Sequence, residues 1–447
     1  RLNQNGHVYE KDTELLYCPT DKRFLVDRYV EGTCPFCGYE AARGDQCDNC
    51  GRTLDGLDLI NPRCRLDESV PEVRKSRHLF LRLSEFNEPL REWLSSKDGL
   101  LRKPVMQWSL GMVNEGLQDR AITRDIDWGI PVPIEGYREK KIYVWIEAVM
   151  GYLSAAIEWA QNTGQPEAWR DWWQNPDARA YYFIGKDNIP FHTLIWPAIL
   201  MGANDVYGEP LQLPYDVPAN QYVNFKGGKA STSRGTAPFL PAFLERYEAD
   251  TIRYYLAATM PELQDSSFDE ADLIRRNNDE LVATWGNLAH RVLTFTGRNF
   301  EDRVPEPGEL REGDRALIDG GSEMVRQVGA EIGLCRFRAG LQTALAYAQR
   351  VNQYLDEEAP WKAIKEDRQA AARSLFVALQ GINALKTAFY PYVPFSSEVL
   401  HGYLGFHGSV QEAGWEAGGV PEGQKLAAPQ PLFKKLDAAE LLETAEA

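Results

Sequence analysis

The spacing of the cysteines constrains the fold of this chain more than any other feature of its sequence. Six of the seven cysteines lie within residues 18–64. In that stretch two residues separate Cys34 from Cys37, and after nine more residues Cys47 and Cys50 repeat the spacing. Two such pairs can close a tetrahedral site of four thiolates around Zn²⁺, with no coordination position left open. The sequence therefore predicts a structural zinc site near the N-terminus.

A second pattern flanks the first. Cys18 is followed by Asp21 at the same spacing, and so is Cys64 by Asp67. Because aspartate can also ligate zinc, two thiolates and two carboxylates form a second candidate metal site. The alternative is a pair of free cysteines that pack in a small core without metal. The sequence leaves both interpretations open.

The size and composition are those of an ordinary globular protein. The chain has 447 residues, of which 44% are hydrophobic and 26% are charged, so two to four domains with cores of their own are expected. A net charge of −16 argues against a general nucleic-acid binder, although it does not exclude an enzyme that grips RNA through local patches. With no long apolar stretch and no secretory pattern, we expect a cytoplasmic protein without a membrane partner. We also expect a monomer.

The middle of the chain has an α/β pattern. Two short runs of aromatic and β-branched residues, 141–146 and 180–184, each precede a helical pattern. This alternation predicts βα units and a parallel sheet, in which ligands bind beyond the carboxyl ends of the strands. A cluster of polar and aromatic residues follows each run. In the second cluster Gly185 would allow a close approach to the backbone, and Asp187 offers a carboxylate to ribose hydroxyls or an amino group.

A glycine-rich loop follows a third predicted strand. Residues 224–235 contain three glycines, three hydroxyl side chains and the cations Lys226, Lys229 and Arg234. Cations and hydroxyl donors on a backbone rich in glycine suit a polyanion such as a nucleoside triphosphate. The spacing is not that of a Walker A loop. The alternative is a solvated surface loop.

The C-terminal half has a helical pattern. Apolar residues recur three and four positions apart in segments 281–295, 337–355 and 372–382. Each segment would bury one face, which predicts an antiparallel helix bundle. Asn287 and Arg291 are one turn apart and share an exposed face of the first helix.

In their order along the chain these motifs resemble the methionyl-tRNA synthetase family of class I aminoacyl-tRNA synthetases. The sequence Lys-Ala-Ser-Thr-Ser-Arg-Gly at 229–235 resembles the mobile Lys-Met-Ser-Lys-Ser signature of that class. Residues 24–35 and 42–47 resemble the connective insertion of the family. Residues 287–291 and 359–361 resemble the set that reads the anticodon.

Two residues depart from the family signature. Ala230 replaces the usual methionine, which is a packing change of small consequence. Thr232 stands where the family has a second lysine that steadies the triphosphate, and a hydroxyl brings no charge. Either Lys226 and Lys229 supply the missing cation, or the activation step is slower, and the sequence leaves this open.

The resemblance implies an enzyme that forms methionyl-adenylate from methionine and MgATP and transfers the methionyl group to tRNA(Met). The implied catalytic residues are Arg124, Lys226, Lys229 and Thr232. The implied ATP-binding residues are Gly185, Asp187, Lys229, Ser231, Thr232 and Ser233. The implied methionine pocket consists of Trp145, Ala148, Tyr152, Asn188, His192 and Trp196, although without the resemblance the two tryptophans would be assigned to the core. The implied anticodon-binding residues are Asn287, Arg291 and Trp361.

The fold class that follows is α/β plus all-α. We expect part of a Rossmann-like class I catalytic domain with a zinc-knuckle connective insertion, and then an antiparallel helix-bundle anticodon-binding domain. The predicted divisions are the insertion at 1–127, the second half of the catalytic domain at 128–235, a junction that contacts the tRNA stem at 236–275, the anticodon-binding domain at 276–405 and a C-terminal segment and tail at 406–447.

One family motif does not occur in this chain. Class I synthetases bind ATP with a His-Ile-Gly-His type sequence, and none of the six histidines lies in a His-x-Gly-His sequence. The resemblance therefore implies that the first half of the catalytic domain lies upstream of Arg1 and that this chain alone is inactive. The alternatives are a non-catalytic tRNA-binding or scaffold protein and a class I synthetase for another amino acid, such as leucine or cysteine. The aromatic pocket and Trp361 weigh against another amino acid.

Overall fold

The chain forms two compact units, Arg1–Asn220 and Gln221–Ala447. The computed structural model describes residues 1–25, 29–44, 47, 49–50, 52, 54–225, 228–229 and 240–437, and of 228–229 it describes the backbone alone. Each unit has a large hydrophobic core of its own. The first unit mixes strands and helices and the second is mainly helical, as the sequence predicts.

A long antiparallel pair of strands carries the cysteine-rich segment. Val8–Cys18 pairs with Glu72–Leu81 along most of its length. Between them the chain forms a three-stranded antiparallel sheet from Ala42–Arg43, Val30–Thr33 and Ile60–Cys64. Among the residues of this segment that the structure describes, ten form a buried core, and four of these are cysteines. So small an apolar core gives little stability, which is the condition under which small domains depend on metal ions.

The rest of the first unit packs helices around short strands. Its remaining strands are Arg23–Phe24, Arg120–Ala121, Thr123–Arg124, Lys141–Ile142, Ile184–Gly185 and Ala219–Asn220. Its α-helices are Asn87–Ser95, Lys103–Glu115, Val144–Asn162, Arg170–Trp173 and Trp196–Gly202. Short 3₁₀ turns lie at Gly56–Asp58, Leu83–Phe86 and Lys186–Asn188, and a π-helical turn lies at Phe191–Ile195.

The prediction of a strand over residues 141–146 is wrong. Only Lys141–Ile142 is extended, and it pairs antiparallel with Thr123–Arg124, not within a parallel sheet. A helix begins at Val144. Its buried residues Ile146, Val149 and Leu153 are three and four positions apart, so the 3.6-residue period prevails over the β-propensity of a short aromatic run.

The second predicted run contains the parallel pairing. Ile184–Gly185 pairs in parallel with Ala219–Asn220, and Tyr181 forms a parallel bridge with Asp216. The chain leaves the first of these strands directly into the Lys186–Asn188 turn. The residues after Gly185 therefore lie at the carboxyl end of a parallel strand, where α/β folds bind ligands.

The second unit is a helix bundle preceded by a small sheet. The sheet contains Val223–Phe225 between Gly228–Lys229 and Ser266–Phe268. The α-helices are Leu240–Arg246, Ala249–Ala258, Glu270–Arg276, Asn287–Asn299, Glu312–Gly333, Phe337–Glu358, Pro360–Ala363, Arg368–Phe389, Pro394–Tyr403 and Val410–Ala413. The predicted helical segments 337–355 and 372–382 lie within two of the three longest helices, Phe337–Glu358 and Arg368–Phe389. Because short connections join the three longest helices, neighbouring ones run antiparallel.

The remaining predicted segment, 281–295, belongs to a longer helical rod. Glu270–Arg276, the π-helical Asn277–Gly286 and Asn287–Asn299 follow one another without a break. Gly286 lies against Phe433, whose ring would be 3.0 Å from a Cβ at that position. The C-terminal segment therefore packs along the π-helical part of the rod, where a side chain would obstruct it.

None of the helices described in this chain has the length and apolar character needed to cross a membrane.

Candidate active site

An aromatic cluster forms at the start of the Val144–Asn162 helix. Trp145, Ala148 and Tyr152 share one side of the helix because they are three and four positions apart, and all three are solvent-exposed. The ring of Trp145 lies 5.5 Å from that of Phe191. Helical spacing, and not the end of a strand, brings these three predicted pocket residues together.

Two hydrogen bonds, one at each ring nitrogen, determine the tautomer of His192. Its Nδ1 lies 2.9 Å from the carbonyl oxygen of Asn188, which can only accept, so Nδ1 carries the proton. Its Nε2 is then the acceptor for the Tyr152 hydroxyl at 2.8 Å. Burial lowers the pKa of His192 from 6.5, which keeps this imidazole neutral near pH 7. The cluster thus has a polar edge without a charge.

Trp196 lies behind this cluster and is not one of its exposed walls. It is 1% exposed, and its indole N–H donates to the Tyr182 hydroxyl at 3.0 Å. The Tyr182 ring in turn lies 5.0 Å from Tyr152 and 5.6 Å from His192. Tyr182 and Phe191 were not among the predicted site residues, because an aromatic residue in an apolar run gives no sign of which side it faces.

The cluster borders a cleft of about 1150 Å³ in the first unit. Arg124, Trp145, Asp187 and Asn188 all line it, so candidates for both substrates meet in one space. The Arg124 guanidinium donates to the carbonyls of Ala121 and Thr123, and it lies 3.7 Å above the Tyr143 ring. A Cβ on Gly185 would meet nothing within 4 Å, so a ligand has room beside that backbone.

A buried polar network borders the same cleft. The Asp125 carboxylate accepts from Ser76 Oγ at 2.7 Å and from Lys140 Nζ, and it lies 3.0 Å from Nε2 of His78. Nδ1 of His78 is 2.8 Å from Thr123 Oγ1. With Nδ1 beside Thr123, Nε2 beside Asp125 and 1% exposure, His78 is held within the fold as a structural residue.

The glycine-rich loop is described only at its start. Val223–Phe225 pairs in parallel with Ser266–Phe268, and the backbone of Gly228–Lys229 folds back antiparallel on the first of these strands. The other candidates of this loop lie outside the described residues, and these are Lys226, Ser231, Thr232, Ser233 and the side chain of Lys229.

The four closely spaced cysteines come together. The sulfur atoms of Cys34, Cys37, Cys47 and Cys50 all lie within 4.8 Å of one another. The Cys34 N–H donates to the carbonyl five residues on, and the next turn needs a left-handed φ of 73° at Gly38. Such turns direct two sulfurs at one point, so the residues fit a tetrahedral zinc ion.

The second group adopts the same local geometry. Ligand atoms of Cys18, Asp21, Cys64 and Asp67 also lie within 4.8 Å of one another. The Cys64 N–H again donates to the carbonyl five residues on. In each pair the residue after the aspartate is left-handed, with φ of 54° at one and 61° at the other, although neither is glycine.

On the helix bundle, two of the predicted anticodon residues are in contact. The Arg291 guanidinium lies 4.5 Å from the centre of the Trp361 ring, and Phe295 meets the same ring edge-on at 6.5 Å. Asn287 is exposed one turn before Arg291. Asn352 holds Arg291 through its side-chain oxygen at 3.3 Å. Arg291 and Asn352 line a surface pocket of about 650 Å³.

Comparisons with known proteins agree with this architecture. Solved structures of Mycobacterium tuberculosis methionyl-tRNA synthetase, one bound by methionyl-adenylate and one in the free state, superpose with a TM-score of 0.74 at 23% and 22% identity. They cover 97% and 98% of this chain, and the chain covers 79% of each. A family model described as "tRNA synthetases class I (M)" matches residues 1–293. The fold and this match define a class I aminoacyl-tRNA synthetase.

Relatives with higher sequence identity show which amino acid defines the family. Methionine–tRNA ligases of Thermomicrobium roseum and Dehalococcoides mccartyi are 47% and 50% identical over 99% and 98% of this chain. The "Anticodon binding domain of methionyl tRNA ligase" matches residues 304–446. The chain belongs to the methionyl-tRNA synthetase family.

The chain spans 79% and 78% of the lengths of these two relatives. The comparisons give no support to the expectation that the chain lacks the first half of the catalytic domain, or that this chain alone is inactive.

Proposed function

We propose that this protein activates methionine with ATP and transfers it to tRNA(Met). The observation that carries the proposal is the neutral Tyr152–His192–Asn188 hydrogen-bonded edge within an aromatic cluster. A methionine side chain is apolar and polarizable, and each contact of its sulfur with an aromatic ring is worth ~0.3–1.5 kcal/mol. A charged side chain would gain nothing from an edge that holds no opposite charge.

Trp145, Ala148 and Tyr152 would line one side of the methionine pocket, and Asn188 and His192 the other. Trp196 would act from behind by holding the Tyr182 hydroxyl, not by touching the ligand. We propose Phe191 as a further wall, since its ring stacks at a tilt against Trp145.

The chemistry asks for positioning and charge stabilisation, and no protein nucleophile is needed. A carboxylate oxygen of methionine attacks the α-phosphorus of ATP, and the bond to the bridging oxygen breaks as pyrophosphate leaves. The terminal ribose hydroxyl of tRNA then attacks the methionyl carbonyl carbon, and AMP leaves. Arg124 can stabilise phosphate charge, and Asp187 with Gly185 can receive the nucleoside. ATP would enter as its Mg²⁺ complex, in which the ion neutralises phosphate charge.

The glycine-rich loop would bind the triphosphate. Lys226 and Lys229 would supply charge, and Ser231, Thr232 and Ser233 would supply hydroxyl donors. With Thr232 in place of a lysine, the two open explanations predict different effects of a Thr232→Lys substitution. A faster activation step would show that a cation is missing, and an unchanged rate would show that the existing lysines suffice.

The Arg291 and Trp361 pair would read the anticodon. Bases of single-stranded loops stack on aromatic rings and are read by hydrogen bonds at their edges. Trp361 would stack one base of the CAU triplet, which is worth ~1–3 kcal/mol. Asn287 and Arg291 would donate to base edges.

Structural zinc is proposed for the four-cysteine site, which offers four thiolates and no open position. We propose the Cys18, Asp21, Cys64 and Asp67 group as a second metal site. The left-handed conformations that follow its aspartates cost energy in residues other than glycine, and a bound ion is one reason to retain them.

Methionine-dependent exchange of pyrophosphate into ATP tests the proposal. Exchange with methionine is expected. No exchange with any amino acid would favour the non-catalytic scaffold, and exchange with leucine or cysteine alone would overturn the specificity.

A further inference from the structure

The tryptophan of the proposed anticodon face follows directly on a helix end. Glu358 is the last residue of the Phe337–Glu358 helix, and Pro360 begins the next short helix. Between them Ala359 has a left-handed φ of 41°. This conformation is unfavourable for a residue with a Cβ, so surrounding contacts must hold the turn that presents Trp361.

A buried carboxylate lies next to this helix end. The Asp314 side chain is completely buried and accepts hydrogen bonds from the Arg311 guanidinium at 3.0 and 3.1 Å and from the Tyr354 hydroxyl at 2.6 Å. Nε of Arg373 lies 3.2 Å from the same carboxylate. Burial alone would raise the pKa of Asp314, but the bonds from Arg311 and Tyr354 outweigh it and lower the pKa to about 2. Asp314 is therefore a permanent anion that orients two arginines.

Both of these arginines also reach Glu358. Nη2 of Arg311 lies 2.7 Å from one carboxylate oxygen of Glu358, and Nη2 of Arg373 lies 3.8 Å from the other. Arg373 belongs to the Arg368–Phe389 helix, and Asp314 lies in the first turn of the Glu312–Gly333 helix. Ion pairs thus connect three helices at Glu358, the residue that precedes the Ala359 turn.

We propose that Glu358, held by Arg311 and Arg373 around Asp314, positions Trp361 for stacking on an anticodon base. Glu358 would not touch the RNA. It would fix the direction in which the chain enters the Ala359 turn, while the Arg291 guanidinium packs on the Trp361 ring. A preset ring loses less conformational freedom on binding, and this loss is a main cost of association. This inference rests on the anticodon-binding role proposed above.

The test measures the binding of an anticodon stem-loop RNA with the CAU triplet to the 447-residue chain. Glu358→Gln keeps the size of the side chain and removes its charge. We expect the Kd to rise about tenfold, which corresponds to losing part of the stacking free energy of one base. Glu312→Gln is the matched control, because Glu312 is an exposed carboxylate two residues from Asp314. Its Kd should equal that of the unmodified chain.

A second comparison separates positioning from general stability. In a Trp361→Ala background the Glu358→Gln substitution should cause no further loss of RNA affinity, because the ring that it positions is gone. The same tenfold loss in both backgrounds would overturn the proposal, and so would an unchanged Kd in the single variant. In aminoacylation by the Glu358→Gln protein the KM for tRNA should rise, while the KM for methionine and for ATP stays the same.

Failure of the wider function would look different. If the unmodified chain binds the CAU stem-loop no better than one with a scrambled anticodon, the anticodon role itself fails and this inference fails with it. If the unmodified chain discriminates and Glu358→Gln discriminates equally well at the same Kd, only the positioning role fails.

Discussion

The Tyr152 hydroxyl donates a hydrogen bond to Nε2 of His192, so removing that hydroxyl tests the proposed pocket while the ring stays in place. Tyr152→Phe leaves Nε2 of His192 without its donor in a site where burial is extensive, and an unmade hydrogen bond of this kind costs ~1–3 kcal/mol. We expect the KM for methionine to rise about tenfold in pyrophosphate exchange, with the KM for ATP unchanged.

Tyr207→Phe is the control for this substitution, since the Tyr207 ring packs on Trp169 away from the cluster. A tyrosine lost there should leave both constants as they are. Equal rises in the KM for methionine and for ATP in Tyr152→Phe would contradict the assignment of Tyr152 to the amino-acid pocket.

The protonation of His192 gives a second prediction at the same scale. Burial lowers its pKa from 6.5, so the neutral form that accepts from Tyr152 dominates at pH 7 and is lost as the pH falls through the lowered pKa. The amino and carboxyl groups of free methionine do not titrate in this range. The KM for methionine should therefore rise as the pH falls through this lowered pKa, at a pH below 6.5, while the KM for ATP should not follow the same curve. A KM for methionine that stays flat across the pH range in which NMR shows the His192 imidazole to titrate would show that this imidazole does not face the substrate.

Among the elements, the cysteine-rich segment is the one whose folding we expect to depend most on the proposed metal ions. Four of the ten core residues that the structure describes there are cysteines, so the folding of this small core should be coupled to metal. We expect two equivalents of zinc in the purified chain, one of them lost in Cys34→Ser and the other in Cys18→Ser. Metal analysis of the two variants measures this directly. One equivalent in the unmodified chain that persists in Cys18→Ser would show that the Cys18 and Cys64 group packs without metal.

Cys335→Ser provides the control for the metal analysis. Cys335 is buried in the helix bundle, outside both cysteine groups, and its substitution should change stability without changing zinc content. Chelation should unfold the residues around the knuckles and leave the helical signal of the second unit unchanged.

How much the sequence could predict differs between elements. Long helices with a steady apolar period, such as Phe337–Glu358 and Arg368–Phe389, were predictable because their burial repeats every three or four residues. The run at 141–146 was not, since aromatic and β-branched residues favour strands in short windows and the deciding period emerges only beyond Ile146. The π-helical turn at Phe191–Ile195 has no sequence signature at all.

The same difference holds for the site. Tyr152 contacts His192, and Trp145, Ala148 and Tyr152 share one side of a helix, whereas the sequence placed Trp145 in a strand. Whether Trp196 faces a ligand or the core depends on packing against Tyr182, which no local pattern encodes. The triphosphate-binding role of the loop stays a prediction, because Lys226 and residues 231–233 lie outside the described residues.

For the whole molecule, the net charge and the proposed RNA face have to be reconciled. A chain with a formal charge of −16 repels a polyanion at long range, so its RNA affinity must come from a few short-range contacts. The Arg291 and Trp361 pair is such a contact, since stacking and hydrogen bonds depend little on net charge. Specificity for the triplet is then concentrated in a small number of residues of the second unit.

That concentration leads to a prediction about the division of labour between the two units. Trp361 belongs to the helix bundle, whereas the proposed methionine pocket belongs to the Arg1–Asn220 unit with its own core. Trp361→Ala should lower kcat/KM for aminoacylation of tRNA(Met) about 10- to 100-fold, which corresponds to the loss of one base stack, and should leave methionine-dependent pyrophosphate exchange unchanged. Trp415→Ala is the control, because Trp415 donates to the Val325 carbonyl elsewhere on the bundle. If Trp361→Ala lowers both reactions to the same degree, the ring supports the fold of the enzyme and does not read RNA.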